Sequence, residues 1–361
     1  MSGNDTEDFF GGARRTASYS EQPVAPTPDE TEAEPDESHR AGPSIAPPVK
    51  RGTAAAALRA AFHVRPPKPE PPKRRIFGNA RAMAAYEEEL KAWQADERAF
   101  LLQNRPRGVA QRVLVTNTKG GVGKTPTVLC LSAALGELLP GSTVAAWEAA
   151  EERGTLLNRV SGDKGEGLMA LLRDARTLIE NPSAVVLDRY AARLATGARV
   201  FGSPEERDVF SGADIETIDA ILSRTYELTV IDSANMARSQ AFRKAVELAD
   251  AVVVPTVISV DSATRMLETI ELFEKGDPVG KVPHRPELLK KLIVVITDDG
   301  RDTYPGALQV MRDTLDVASI PFVEVPYDKH IAEGMVIEWS KLSDVSHDAW
   351  CNVGASVLER I

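Results

Sequence analysis

The chain has 361 residues, a formal net charge of −10 at pH 7 and a sequence pI of about 5.2. This length predicts about two domains, and the acidic balance argues against a protein that wraps nucleic acid over its whole surface, although it allows a local basic patch. The two cysteines, Cys130 and Cys351, and five scattered histidines give neither a disulfide framework nor a zinc-ligand spacing, so we expect a cytoplasmic protein in a reducing compartment and assign no histidine to a metal.

Residues 1–78 are predicted to be a disordered, proline-rich tail. Half of the 24 prolines lie in residues 1–75, where large apolar side chains are few. Such a segment buries too little surface to offset the entropy lost on ordering. The polar N-terminus has no apolar signal core, and no run in the chain approaches the ~20 apolar residues that span a bilayer, so no membrane anchor is expected.

Charge is unevenly distributed along this tail. Residues 1–38 carry ten acidic residues against two arginines, whereas residues 39–75 carry nine lysines and arginines against one glutamate. Two interpretations stay open: a solvated linker, or an arm that docks on DNA or on an acidic partner. The densest positive charge, called here the basic cluster, consists of Lys50, Arg51, Lys73, Arg74 and Arg75.

Residues 79–106 are predicted to form an amphipathic helix, 79–104, followed by a short linker. Asn79 is a suitable N-cap, and Pro106 follows the helical pattern. Glu97 interrupts an apolar stripe with three- and four-residue spacing. Because the stripe is short and interrupted, we expect it to pack on the following domain rather than to form a free coiled coil. The stripe consists of Met83, Tyr86, Leu90 and Trp93.

From residue 107 to 361 the pattern alternates between strand and helix. Runs that are apolar throughout, such as 251–254 and 293–296, are typical of buried parallel strands, and helical patterns such as 262–275 lie between them. We therefore predict an α/β domain with a doubly wound, mainly parallel sheet that binds ligands at the carboxyl ends of its strands. The predicted strands are 112–117, 143–147, 228–232, 251–255, 292–297 and 321–325.

A glycine-rich run follows the first predicted strand and opens a helix. It reads Lys119-Gly120-Gly121-Val122-Gly123-Lys124-Thr125. Its glycines let several backbone N–H groups point at one anion, and the helix N-terminus adds positive charge there. Lys124 can reach the outer phosphates of a nucleotide, and the hydroxyl of Thr125 can ligate magnesium. The run therefore predicts a P-loop.

This loop departs from the common pattern G-x-x-x-x-G-K-[ST] because Thr118 stands where the first glycine is expected, while Lys119 enters early. It resembles the deviant Walker A loop of the ParA/MinD ATPases, in which the early lysine crosses a dimer interface and contacts the nucleotide of the other subunit. The resemblance implies ATP with Mg²⁺ as cofactors and a homodimer on ATP binding. Spacing alone predicts only a nucleotide site.

The second metal ligand is predicted at Asp232. It ends the strand 228–232, and a strand-terminal aspartate beside a phosphate loop can hold magnesium through water. This position is similar to the Walker B element of the same family. At the start of the loop helix, Pro126 lacks an N–H that could bond phosphate, and the hydroxyl of Thr127 is a substitute.

The expected catalytic carboxylate is missing. Strands of the family end in D-x-D-P, and the second aspartate positions the attacking water. Here Glu148 falls on the first aspartate and Ala150 on the second, and a methyl group neither accepts a proton nor orients water. Glu151 is a substitute from the next position. We therefore expect ATP hydrolysis to be slow or absent, and any ATPase activity to depend on Lys119, Lys124, Glu148 and Glu151 as the catalytic set.

The family also implies two base-contacting stretches. They correspond to Thr297 and Asp298 after one strand and to Pro326 and Tyr327 after the last. The resemblance covers about residues 111–358 and is weakest between 156 and 225. The implied cofactor-binding set is Lys119, Gly120, Gly121, Val122, Gly123, Lys124, Thr125, Pro126, Thr127, Thr297, Asp298, Pro326 and Tyr327, with Thr125 and Asp232 at the metal.

The resemblance implies a dimerising switch in DNA partition or positioning, for a plasmid, a chromosome or a conjugative element, with non-specific DNA and a ParB-like protein as partners. The alternative is an ATP-binding scaffold that recruits a secretion or cell-division apparatus through the N-terminal arm. Membrane cycling of the MinD kind ranks lowest because residues 355–361 lack a long basic amphipathic face. No substrate constellation supports a metabolic enzyme.

Overall fold

The computed structural model describes residues 65–72, 80–104, 108–139, 141, 143–233 and 235–361, apart from the side chains of 80 and 102–104. Most of the predicted tail, the whole basic cluster and the predicted N-cap Asn79 lie outside the described residues. Within the described ranges, no helix is both long and apolar enough to cross a membrane.

An eight-stranded sheet forms the centre of the described part of the chain, in the order β3-β4-β2-β5-β1-β6-β7-β8. Neighbouring strands are parallel except for β3 and β4, which are antiparallel. The strands are β1 Gln111–Val115, β2 Val144–Ala149, β3 Ala192–Arg193, β4 Arg199–Phe201, β5 Leu228–Ser233, β6 Ala251–Val257, β7 Leu292–Thr297 and β8 Phe322–Val325.

Both faces of this sheet are covered, which confirms the predicted doubly wound fold. In β1, Val113 and Val115 belong to the core on one face, whereas Leu114 belongs to the core on the other. A strand buried on both sides has no polar face, and this explains why the central strands read as continuous apolar runs. Six of the eight strands overlap the predicted ones. The short β3 and β4 at one edge were not predicted.

Helices connect and cover the strands. They are α1 Ala80–Asn104, α2 Lys124–Leu138, α3 Gly167–Arg173, α4 Ala175–Glu180, α5 Ala184–Leu187, α6 Gly212–Leu222, α7 Gln240–Leu248, α8 Val260–Lys275, α9 Ala307–Val317, α10 Lys329–Ala332 and α11 Asp344–Leu358, with short 3₁₀ turns at Leu156–Arg159, Asp188–Tyr190, Pro286–Lys291 and Trp339–Lys341. Serine N-caps begin several of them: Ser211 forms a capping box with Asp214, and Ser259 caps α8. The cap at Ser259 places the start of α8 two residues before the predicted 262.

The helix α1 packs on α11, as its apolar stripe predicted. Lys91 pairs with Asp348 at 3.0 Å, and the Nη1 atom of Arg98 donates to Asn352 Oδ1 at 3.2 Å. Glu97, which interrupts the stripe in the sequence, is buried and pairs with Arg65 at 2.7 Å. Glu97 therefore contributes to the packing of α1 through its ion pair with Arg65, although it interrupts the apolar stripe.

Residues 65–72, the one described part of the predicted tail, lie against α1. The indole Nε1 of Trp93 donates to the carbonyl oxygen of Pro66 at 3.0 Å, and the ammonium of Lys68 lies 5.8 Å from the centre of the Trp93 ring. Arg65 also pairs with Glu359 beyond the end of α11. These eight residues therefore differ from the prediction, because one proline-rich stretch gains specific polar partners.

Candidate functional site

The glycine-rich run forms the turn between β1 and α2. Gly121 and Gly123 have φ values of 75° and 85°, in the left-handed region that side chains other than glycine rarely adopt. Gly123 is the N-cap of α2 and has no side chain to satisfy the first backbone N–H groups. An N-terminus without an internal cap offers these donors to an anion.

A buried asparagine holds this loop to the neighbouring strand. Asn117 is fully buried, and its amide Nδ2 donates to the carbonyl oxygen of Pro255 at 2.9 Å while its Oδ1 accepts from the backbone N–H of Lys119 at 2.9 Å. The backbone N–H of Thr118 donates to Thr269 Oγ1 at 3.2 Å. Asn117 was not predicted to have a role, because its partners are a backbone carbonyl and a backbone N–H, which leave no pattern in the sequence.

Lys124 is almost fully buried at the first position of α2. Its ammonium donates to the carbonyl oxygens of Asn117 at 3.0 Å and of Lys119 at 2.9 Å, and also to the side-chain oxygen of Asn235. Burial lowers the pKa of Lys124 to about 8, against the opposing attraction of Asp232. The ammonium is thus held within the loop by three oxygen atoms, where it can turn to a phosphate.

The two predicted metal ligands lie in direct contact. Thr125 Oγ1 donates to Asp232 Oδ2 at 2.8 Å. The pKa of Asp232 is raised to about 7, chiefly by burial, while the bond from Thr125 opposes the shift and the charge of Glu148 adds to it. A hydroxyl beside a carboxylate is the oxygen donor set that Mg²⁺ takes, and a bound cation would stabilise the ionised carboxylate. The residues therefore fit a magnesium ion.

A cavity of about 400 Å³ opens beside this pair, within the usual size of ligand sites. The hydroxyl of Thr127 is buried in its lining without a hydrogen-bond partner, which leaves a polar group for a ligand. Nine of the predicted residues line this cavity: Gly121, Gly123, Lys124, Thr125, Pro126, Thr127, Thr297, Asp298 and Pro326. A larger cavity of about 810 Å³ lies by α1, β8 and α11 and includes no loop residue.

The other predicted residues do not belong to this lining: Lys119, Gly120, Val122, Glu148, Glu151, Asp232 and Tyr327. The ring of Tyr327 instead covers Gly300, where a Cβ atom would come within 2.4 Å of it. Asp232 is linked to the lining through its bond to Thr125. The described structure therefore brings part of the glycine-rich run together with Thr297, Asp298 and Pro326 around one space.

Glu148 lies beside Asp232 in the sheet register and has a partner of its own. Arg207 Nη2 is 3.2 Å from Glu148 Oε1, and both side chains are buried, with 1% and 2% of their surfaces exposed. Ser203 Oγ donates to the same oxygen at 3.3 Å. The charge that the sequence analysis placed among the catalytic groups is therefore neutralised from within the fold.

Arg207 also fixes the loop after β2. It donates to the carbonyl oxygens of Ala150 at 2.9 Å, Glu151 at 2.7 Å and Glu152 at 2.9 Å, and its guanidinium carbon lies 3.5 Å from the centre of the Phe210 ring. Arg207 was not predicted, because it lies in a stretch where the family resemblance is weak. Three of its partners are backbone carbonyls, which leave no trace in side-chain patterns.

Ala150 and Glu151 lie within this fixed loop. The methyl group of Ala150 offers no hydrogen bond, and Glu151 Oε2 is buried without a hydrogen-bond partner. A buried carboxylate oxygen without a donor is costly, so this oxygen favours a hydrogen-bond donor from outside the chain, such as a water molecule. The role of Glu151 in place of the missing aspartate stays a prediction.

Lys119 points to a different place from Lys124. Its ammonium lies 2.5 Å from Asp261 Oδ2 and donates to Ser262 Oγ at 3.0 Å, both at the N-terminus of α8. Its side chain keeps 28% of its surface exposed, whereas that of Asp261 keeps 71%. The early lysine is therefore accessible from outside the cavity that Lys124 lines.

No family model and no curated protein matches this sequence. Solved structures similar in fold include a ParA family ATPase from Chlorobium tepidum TLS, with 15% identity, a TM-score of 0.49 and coverage of 69% of this chain and 97% of that chain. Another is the cell division ATPase MinD of Pyrococcus furiosus, with 16% identity, a TM-score of 0.49 and coverage of 69% and 99%. The cobyrinic acid a,c-diamide synthase of Mycobacterium smegmatis, with bound ADP and magnesium, has 18% identity, a TM-score of 0.44 and coverage of 70% and 94%.

These similarities concern the fold, and one fold hosts many activities, so the function of this chain depends on its own side chains.

Proposed function

We propose that this chain is a Mg²⁺-dependent, ATP-binding switch of the ParA/MinD type that dimerises when ATP binds. The glycine loop and Lys124 take the phosphates, and Thr125 with Asp232 takes the metal. Thr297, Asp298 and Pro326 border the space left for the rest of the nucleotide. Support comes from the 400 Å³ cavity that collects these groups at the carboxyl ends of the strands.

The contrast between two lysines carries the proposal of a dimer. Lys124 lines the cavity, whereas Lys119, five residues earlier, does not and remains partly exposed on an ion pair with Asp261. A lysine that cannot serve its own nucleotide gains most from the phosphates of a second site facing it. The nucleotide would then lie between two protomers, and the dimer would be the form that binds cargo.

The deciding experiment is chromatography with light scattering of the full chain without nucleotide, with ADP and with ATP, each with Mg²⁺. We expect a monomer in the first two samples and a dimer in the third. Phosphate release measured on the same samples separates binding from turnover. A chain that binds ATP and stays monomeric at every concentration contradicts the switch.

The preferred role is DNA partition or positioning in the cytoplasm, with non-specific DNA and a ParB-like protein as partners. Its support is the basic cluster in a chain that is acidic overall. Two arms on one dimer would strengthen each other on a single polymer through effective concentration. ATP would in this way control DNA binding without adding a contact to DNA.

One observation favours a second function, an ATP-binding scaffold that does not turn over and recruits a secretion or division apparatus through its N-terminal arm. Ala150 replaces the expected carboxylate. Arg207 neutralises Glu148 and holds the loop that follows β2 through its bond to the carbonyl oxygen of Ala150. An ATP-dependent dimer without phosphate release and without affinity for DNA at low salt would favour the scaffold over partition.

A further inference from the structure

Arg159 is a cation in the candidate nucleotide cavity that the sequence analysis did not identify. It ends the 3₁₀ turn Leu156–Arg159 and lines the cavity together with Lys124 and Thr125. Its carbonyl oxygen accepts from the backbone N–H of Ile337 at 2.8 Å, which fixes the position of its main chain. Arg159 therefore belongs to the wall of the cavity, and its main chain there is held by a hydrogen bond.

Part of the guanidinium of Arg159 is buried without a partner. Its Nη1 atom is buried and has no hydrogen-bond partner among the described residues, although the residue as a whole is half-buried. Burial lowers the pKa of Arg159, an attraction to Asp232 opposes this shift, and no carboxylate in the described ranges forms an ion pair with the guanidinium. A buried N–H without an acceptor costs free energy, so the arrangement favours an acceptor supplied from outside the chain.

A second arginine in the same lining provides the contrast. Arg301 Nε lies 3.0 Å from Asp299 Oδ2, and the Arg301 side chain keeps 75% of its surface exposed. Because the guanidinium of Arg301 is already paired and in contact with solvent, a ligand would relieve no unsatisfied N–H group there. Within one cavity, the guanidinium of Arg159 has a buried Nη1 atom without a partner, whereas the guanidinium of Arg301 is exposed and paired.

We propose that Arg159 binds a phosphate group of the nucleotide, in cis, as a donor additional to the phosphate loop. A guanidinium presents N–H groups in a planar fork that matches phosphate oxygens. The first turn of α2 also has one hydrogen-bond donor fewer, because Pro126 has no backbone N–H, and the guanidinium of Arg159 would supply a donor in its place. This inference rests on the proposed nucleotide binding and adds a residue that the loop motif does not contain.

The test uses the full chain and the variants Arg159→Met, which removes the charge and keeps the length of the side chain, and Arg159→Lys, which keeps the charge. Calorimetry measures the affinity for ATP, ADP and adenosine with Mg²⁺. One charged hydrogen bond contributes about 10- to 100-fold in affinity. Arg159→Met should therefore lower the affinities for ATP and ADP by that factor and leave the affinity for adenosine unchanged. The affinities of Arg159→Lys for ATP and ADP should fall between those of Arg159→Met and the parent.

Thermal unfolding without nucleotide separates a binding role from a structural one. Removing a buried cation without partners should leave the Tm of Arg159→Met equal to that of the parent or higher. A lower Tm together with weaker ATP binding, not recovered in Arg159→Lys, would show a structural role and overturn the proposal. Unchanged ATP affinity in Arg159→Met overturns the role of this arginine alone, whereas a parent chain that binds no ATP overturns the proposed function and this inference together.

Discussion

Lys119 Nζ and Asp261 Oδ2 form an ion pair at 2.5 Å that links the phosphate loop to the N-terminus of α8. The lysine comes from the loop, yet its partner lies 142 residues later in the sequence. The proposed contact with the nucleotide of a second subunit requires this pair to open. The ion pair would therefore compete with the proposed contact across the dimer interface for the same ammonium.

Lys119→Ala should retain ATP binding and lose the ATP-dependent dimer, because the contact across the interface is removed while the cavity lining stays intact. Asp261→Ala is the matched variant: it frees Lys119, and we expect the dimer to form at a lower protein concentration than in the parent. Light scattering over a concentration series with ATP measures both. Dimerisation of Lys119→Ala at the concentration of the parent would contradict the role of Lys119 in trans.

Lys124→Ala should abolish measurable ATP binding, and Thr125→Ala should abolish its dependence on Mg²⁺. The loss of one charged hydrogen-bond donor to phosphate corresponds to at least about 10- to 100-fold in affinity. Calorimetry with ATP, with and without Mg²⁺, measures both effects, and Lys119→Ala provides the control that should keep its affinity. Undiminished ATP affinity in Lys124→Ala would show that the glycine loop is not the phosphate site.

Intrinsic ATP hydrolysis should be much slower than the ~10 s⁻¹ typical of enzymes, because Ala150 replaces the carboxylate that orients water. Ala150→Asp should increase phosphate release. Glu151→Gln should remove the residual activity if Glu151 acts in its place, whereas Glu148→Gln should not, since Arg207 already neutralises Glu148. A parent chain with rapid turnover would refute the expectation for Ala150.

Arg207→Ala should destabilise the fold by about 3–5 kcal/mol, because it leaves the buried charge of Glu148 without a partner. Urea unfolding at neutral pH measures the free energy of unfolding of each variant. Combining Arg207→Ala with Glu148→Gln removes the unpaired charge, so the double variant should be more stable than Arg207→Ala alone. Equal stability of these two variants would mean that the carbonyl bonds of Arg207, rather than its ion pair, account for the loss.

Any DNA binding should be non-specific, should weaken steeply with salt and should depend on the basic cluster, because phosphate contacts release counterions. Residues 65–72 pack on α1, so a variant with Lys50, Arg51, Lys73, Arg74 and Arg75 changed to glutamine is a cleaner test than deletion of the whole segment. DNA titrations of this variant and of the parent, with and without ATP, measure the contribution of the basic cluster to DNA affinity. Equal affinity would place the DNA contact on the α/β domain.

The fold and the loop could be predicted because their signals are local. Apolar runs such as Ala251–Val257 identify buried strands, and the left-handed turn at Gly121 and Gly123 requires glycine. Arg207 and Arg159 could not be predicted in this way. The first acts on carbonyl groups more than 50 residues earlier, and the second is defined by the acceptor it lacks. Neither property shows in residue type or spacing.

The hydrogen bonds of Lys124 have a thermodynamic consequence for any ligand. Two carbonyl oxygens of the loop and the amide oxygen of Asn235 already hold its ammonium. An incoming phosphate must replace some of these oxygens, so the measured affinity is the difference between two sets of bonds to one cation. These three oxygens would therefore compete with phosphate for the ammonium of Lys124. Because they belong to the same chain, their effective concentration at the ammonium does not depend on the protein concentration.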